Sequence, residues 1–135
     1  MTYSPELQML AWVASATALM WVPYVFARIL TRGLMATMGN PHASLPPDPP
    51  WAQRARLAHS NAVENLAVFA PLVLGAALIG VSTPATVLAC KLYLAARVAH
   101  YVVYAAGIPV LRTLLFFVGF GATATVALAL LAALP

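Results

Sequence analysis

The sequence predicts an all-α membrane protein, a single domain built as an up-down-up-down bundle of four transmembrane helices. Three observations lead there. Of the 135 residues, 63% are hydrophobic and 7% charged, with a mean hydropathy of +0.89. A soluble domain carries roughly 45–50% apolar and about 25% charged residues, so this chain lacks the polar material to cover a water-facing surface. A helix crossing ~30 Å of hydrocarbon takes about 20 residues, which allows about four or five spans and no separate soluble catalytic domain. The apolar runs are continuous rather than alternating, which excludes a barrel. A single cysteine, Cys90, permits no intrachain disulfide and no CxxC redox or zinc motif. Any thiol chemistry would use a thiol supplied from outside, and no metal site is expected.

The first helix is expected over residues 7–32, opened by Ser4-Pro5-Glu6 and closed by Arg28, Arg32 and Gly33, with a kink at Pro23. No basic residue precedes Arg28, so the segment lacks the positive start of a secretory signal and reads as a retained helix. Gly39 to Trp51 holds five prolines in thirteen positions and forms the one substantial loop. The second helix follows over 53–80, with a kink expected at Pro71. Val81-Ser82-Thr83-Pro84 make a tight turn, and Pro84 suits the first turn of a third helix over 84–106. Gly107-Ile108-Pro109 separate it from a fourth helix over 109–134. That last helix is rich in Gly, Ala and Thr, which suits close packing in lipid as well as simple helix formation.

Basic residues set the expected orientation. Arg28, Arg32, Arg54 and Arg56 flank the proline-rich loop, and Arg112 follows the turn between helices three and four. The opposite side carries Glu6 and no Lys or Arg in its turn. By the positive-inside rule the loop faces the cytoplasm and both termini face away from it; in a bacterial cell the membrane would be the inner one.

Ionisable groups at membrane depth cost at least ~2.5 kcal/mol on insertion scales, so their positions carry information. In helix two, Arg54, Asn61 and Asn65 lie at spacings of seven and four, with Glu64 three after Asn61, which suggests one shared face. In helix three, Tyr93, Arg97, His100, Tyr101 and Tyr104 form a second polar stripe. Glu64 and Arg97 each lie ten residues, or ~15 Å, from the loop-side ends of their helices, so an ion pair between them is expected. Asn61 and His100 are level by the same count. Six arginines against Asp48 and Glu64 on this side suggest an anionic ligand, because the guanidinium fork matches a carboxylate. A purely structural ion pair and ordinary membrane anchoring account for the same residues without a ligand.

The run Arg54-Ala-Arg-Leu-Ala-His59-Ser-Asn61-Ala-Val-Glu64-Asn65-Leu resembles the helix-two signature of the MAPEG family, membrane-associated proteins in eicosanoid and glutathione metabolism. Arg97-Val-Ala-His100-Tyr-Val-Val-Tyr104, followed by Gly107-Ile-Pro-Val-Leu-Arg112-Thr113, resembles the same family's helix three and its entry into helix four. The resemblance, to a member of bacterial type, covers nearly the whole chain. It implies a homotrimer that binds glutathione as co-substrate between subunits on the cytoplasmic side. Asn61 and Glu64 would hold the tripeptide backbone or amino end. Arg97, His100 and Tyr104 would line the site from helix three, and Arg32 would contact a glutathione carboxylate. Arg112 matches the arginine placed near the sulfur in this family, the catalytic position, and Thr113 a neighbouring hydroxyl. One position departs: where the family commonly has arginine four residues before the motif asparagine, this chain has Leu57, with Arg56 one residue earlier.

The resemblance therefore implies a glutathione-dependent transferase or peroxidase acting on lipophilic electrophiles. Its partners would be membrane lipid and a hydrophobic small molecule, with no nucleic acid. The Leu57 departure supports an alternative, a non-catalytic relative that binds a lipid or a partner protein. A four-helix multidrug exporter fits the size alone, but such exporters rely on a deep carboxylate in helix one, and the only deep acid expected here is Glu64.

Overall fold

The computed structural model describes residues 4–135, which are helical with short connections and contain no strand. The first predicted helix divides into α1 (Pro5–Leu19) and α2 (Trp21–Arg32), followed by a short α3 (Leu34–Met38). After the loop come α4 (Pro50–Leu78), α5 (Pro84–Ala106) and α6 (Pro109–Ala132). Four stretches are long and apolar enough to cross a membrane: Pro5–Arg32, Pro50–Leu78, Pro84–Ala106 and Pro109–Ala132. The chain is a multi-pass membrane protein.

Each of these stretches opens on proline in its first turn, where a missing N–H costs no intrahelical hydrogen bond. Inside a helix the same residue is disruptive, because it removes a donor and crowds the preceding turn. Pro23 accordingly goes with a break at Met20, between α1 and α2, where the Tyr101 hydroxyl donates to the Met20 carbonyl at 2.8 Å. α4, by contrast, is continuous through Pro71. At the start of α5, Thr83 and Thr86 cap each other: Thr83 N–H donates to Thr86 Oγ1 at 2.8 Å and Thr86 N–H to Thr83 Oγ1 at 3.1 Å. α5 ends on Gly107 in the left-handed conformation (φ 82°, ψ 30°) that a side chain would resist.

The core is apolar and centred on Leu10, Val13, Phe69, Val73, Tyr93 and Val126, with the Phe69 and Tyr93 rings stacked at a centroid separation of 3.6 Å. Ala52, Ala55, Ala58 and Ala62 recur every three or four residues on α4 and are all buried. Small side chains at that spacing let neighbouring helices approach closely, the packing mode available where lipid offers no hydrophobic driving force. In the fourth helix the small residues Gly119 and Ala122 are likewise buried. Outward faces carry exposed Trp12, Phe26, Leu30, Val110, Phe117 and Leu128, a surface suited to a hydrocarbon surround.

Two polar fasteners close the ends of the bundle. At the basic end, the loop folds back so that Asp48 is buried against α2. Arg28 donates to its carboxylate from Nε at 3.1 Å and from Nη2 at 2.7 Å, and Arg32 Nη2 lies 3.5 Å away. The hydrogen bonds from Arg28 hold the Asp48 carboxyl below the usual aspartate range, against the opposing effect of its burial. Gln53 Nε2 donates to the Asp48 carbonyl at 2.7 Å, and Arg32 Nε to the Pro46 carbonyl at 2.6 Å. At the opposite end, Glu6, in the first turn of α1, is buried. The hydroxyls of Ser4, Ser82 and Thr86 all donate to it within 3.1 Å, joining α1 to the turn before α5. Three hydroxyl donors stand in for a counter-charge and make burial of the carboxylate tolerable.

Candidate functional site

Asn61 is the point from which the site is built. Three residues along an α-helix turn 300°, so Glu64 lies ~60° from Asn61 toward the outer surface while Asn65, four residues on, lies ~40° to the other side. Asn65 Nδ2 donates to the Asn61 carbonyl at 2.8 Å and to Asn61 Oδ1 at 3.3 Å. Arg97 of α5 comes up behind: its Nη1 donates to Asn61 Oδ1 at 3.1 Å and its Nη2 to the Phe116 carbonyl at 3.4 Å. Its Cζ stands 5.2 Å from the Tyr93 ring centroid and 5.4 Å from that of Phe116.

The expected Glu64–Arg97 ion pair does not form. Arg97 is buried, whereas Glu64 is exposed and meets only the Ser60 hydroxyl at 3.5 Å. Arg97 meets Asn61 instead, and Glu64 is rotated ~60° around α4 from that residue. Among the described residues the ion pairs are those of Asp48 with Arg28 and Arg32.

Between α4, α5 and α6 a groove of about 310 Å³ opens at the basic end, lined by Asn61, His100, Tyr104, Arg112, Thr113, Phe116 and Phe117. His100 is buried with its ring edge-on to Tyr104, centroids 5.6 Å apart. The Arg112 Cζ lies 4.4 Å over the face of the same tyrosine, a cation–π contact that orients the guanidinium while leaving its five N–H donors for another partner. Thr113 donates back to the Pro109 carbonyl at 3.1 Å, which leaves its hydroxyl oxygen free to accept. Cationic donors beside two aromatic faces and a carboxamide make a cradle for an anionic, polar molecule that enters next to the apolar Phe116 and Phe117.

The other flank of α4 carries a second set. A cavity of about 280 Å³ is lined by Tyr24, Arg56, His59, Ser60, Val63 and Glu64, with the Tyr24 hydroxyl 2.8 Å from His59 Nδ1. Toward the loop it meets a cleft of about 600 Å³ lined by Arg32, Pro47, Asp48, Gln53, Arg56, Leu57 and Ser60. The largest cleft is thus not the one that holds Arg112. Of the eight residues singled out from sequence, Asn61, His100, Tyr104, Arg112 and Thr113 share the first groove, Arg97 stands behind it, and Arg32 and Glu64 sit across α4.

A family model described as MAPEG family matches residues 9–132. The chain belongs to the MAPEG family. Neither a curated protein nor a solved structure gives a match. The MAPEG match takes in the residues lining these cavities, both polar stripes, the last three spans and the first span from residue 9 onward. Two features of this MAPEG chain bear on the motif positions. Arg54, first residue of the helix-two motif, donates from Nε to the Ala105 carbonyl at 3.0 Å and packs on Gly107. It therefore secures the C-terminal end of α5, where a cation is favoured. Leu57 is exposed beside Arg56, on the face of α4 between the two flanks. Sequence reasoning passed over Phe116, Phe117 and Gly119, which carry no charge and read as ordinary members of an apolar, small-residue helix.

Proposed function

We propose that the chain is a glutathione-dependent membrane transferase or peroxidase acting on lipophilic electrophiles. The observation that carries this reading is Arg112, held over Tyr104 with its donors unspent, in one groove with Asn61, His100 and Thr113. A free thiol has a pKa near 8.5, and a guanidinium beside it favours the thiolate, which is the nucleophile. In this reading Arg112 faces the glutathione sulfur and Asn61 takes a polar group of the tripeptide. The lipophilic electrophile arrives along Phe116 and Phe117. Glutathione brings its own sulfur, so buried Cys90 has no part in the reaction.

The outer face of α4 supports a site shared between copies of the chain. Leu57, Ser60 and Glu64 lie exposed there within a span, and a carboxylate at membrane depth calls for a protein or aqueous partner. In a homotrimer that face would be covered, and Arg32 and Glu64 of one subunit would approach the Arg112 groove of another. The loop and basic end would then face the cytoplasm. Calorimetric titration of the detergent-solubilised protein with glutathione, together with conjugation of a generic aromatic electrophile, tests the reading. Binding at millimolar glutathione and conjugation lost in Arg112→Ala are expected; no binding at that concentration sinks it.

Exposed Leu57, where the family commonly has arginine, favours a second reading, a MAPEG chain that binds a lipid or partner without catalysis. It predicts no conjugation by the wild type and ligand binding that survives Arg112→Ala.

A further inference from the structure

Arg97 is an unusual buried cation. Only 2% of it is exposed, no carboxylate meets it, and its Nε has no hydrogen-bond partner, yet it lines neither groove. Its position depends on α6. A Cβ added at Gly119 would fall 2.8 Å from Arg97 Nε and 2.9 Å from its Cζ, and closer still to Nη2, all inside van der Waals contact. Gly119 has ordinary helical backbone and no conformational need to be glycine. Its missing side chain is the space the guanidinium occupies.

The consequence reaches the groove through Asn61. Arginine can only donate, so the Asn61 atom facing Arg97 Nη1 must be the carbonyl oxygen. Asn65 Nδ2 takes the second lone pair of that oxygen at 3.3 Å. The carboxamide is therefore fixed in one orientation, its oxygen saturated and its NH₂, which meets no protein acceptor, on the groove side. We infer that Gly119 and Arg97 are positioning residues that lock the Asn61 carboxamide with its NH₂ in the groove, so that the groove selects a ligand with a carbonyl or carboxylate oxygen at that level. The inference rests on the proposed function for the identity of the probe, glutathione, whose peptide carbonyls and carboxylates supply such an oxygen, but the Gly119–Arg97 coupling stands without it.

Two sets of variants of the full-length protein in detergent test this. Asn61→Asp keeps an acceptor for Arg97 and gives it a counter-charge, while it replaces the NH₂ with an anionic oxygen. It should melt no lower than wild type yet bind glutathione at least about tenfold more weakly, and more weakly than Asn61→Ala. A merely structural asparagine would move melting and binding together, and wild-type affinity in Asn61→Asp overturns the orientation. In the second set, Gly119→Ala should lower both melting temperature and glutathione affinity in the wild-type background. In an Arg97→Ala background it should be neutral or raise the melting temperature, because alanine is the better helix former once the clash is gone. Additive losses in the two backgrounds overturn the pair. Should the wild type bind no glutathione, the proposed function fails, and the melting cycle alone then decides for or against the Gly119–Arg97 coupling.

Discussion

Glu6 and Arg97 are buried charges at different levels of the same bundle, and their surroundings treat them differently. Glu6 is surrounded by hydroxyls from Ser4, Ser82 and Thr86, so its lone pairs are taken and nothing is left over for a ligand. Arg97 has a single side-chain acceptor, one weak carbonyl contact and an unpaired Nε, and it borders a groove in which Arg112 also lacks an acid. A satisfied buried charge acts as a fastener, whereas Arg97 stands behind the groove and holds Asn61, and it is the unspent donors of Arg112, inside the groove, that mark the place for a ligand.

Removing the Glu6 carboxylate should cost the most stability. Glu6→Ala takes a charged acceptor from the buried Thr86 hydroxyl and from the more open Ser4 and Ser82 hydroxyls and should cost about 2 kcal/mol, read as a lower melting temperature in detergent, with glutathione affinity unchanged. A stable variant, or one that loses glutathione, would erase the distinction between the two ends. Next in size is the pH response of the other fastener. The folded-state pKa of Asp48 lies below its ordinary value of 3.8, so its contribution to stability is complete above that value and is lost as the pH falls through the lowered one. Between pH 7 and strongly acidic conditions, wild type should therefore lose more thermal stability than Asp48→Asn; equal losses would mean that the Arg28–Asp48 contact contributes nothing.

Smaller effects sharpen the contrast. Arg32 lies 3.5 Å from Asp48 without a hydrogen bond to it, while Arg28 makes the hydrogen bonds to that carboxylate, so Arg32→Ala should cost no more than about 1 kcal/mol of stability. The same variant should weaken glutathione binding if its flank of α4 completes the site, which a titration against wild type would show. Smallest of all is Tyr93→Phe. The Tyr93 hydroxyl is buried without a partner, so its removal should be neutral or slightly stabilising in thermal melting, about 1 kcal/mol at most. A clear loss would reveal a partner for that oxygen.

Much of this was legible in the sequence because it follows from distances along the chain. The spans and the loop depend on a rise of 1.5 Å per residue, and the family motifs named Asn61, His100, Tyr104, Arg112 and Thr113, which line one groove. Rotation was harder to read. Glu64 and Asn61 are three residues apart, near enough to suggest one face, but the remaining 60° puts Glu64 on the flank with His59. Glu6 looked like a helix start because its hydroxyl partners Ser82 and Thr86 lie more than seventy residues away. Gly119 reads as one more small residue in a small-residue helix until Arg97 is seen folded against it.

Glutathione held in the Arg112 groove would carry its sulfur as the thiolate. Ultraviolet difference absorbance of the thiolate, followed as a function of pH when glutathione is added to the solubilised protein, tests it most directly. Thiolate should appear well below the free-thiol pKa of about 8.5 in wild type and only near that value in Arg112→Ala. The same titration midpoint in both proteins, at the value of free glutathione, would contradict the claim.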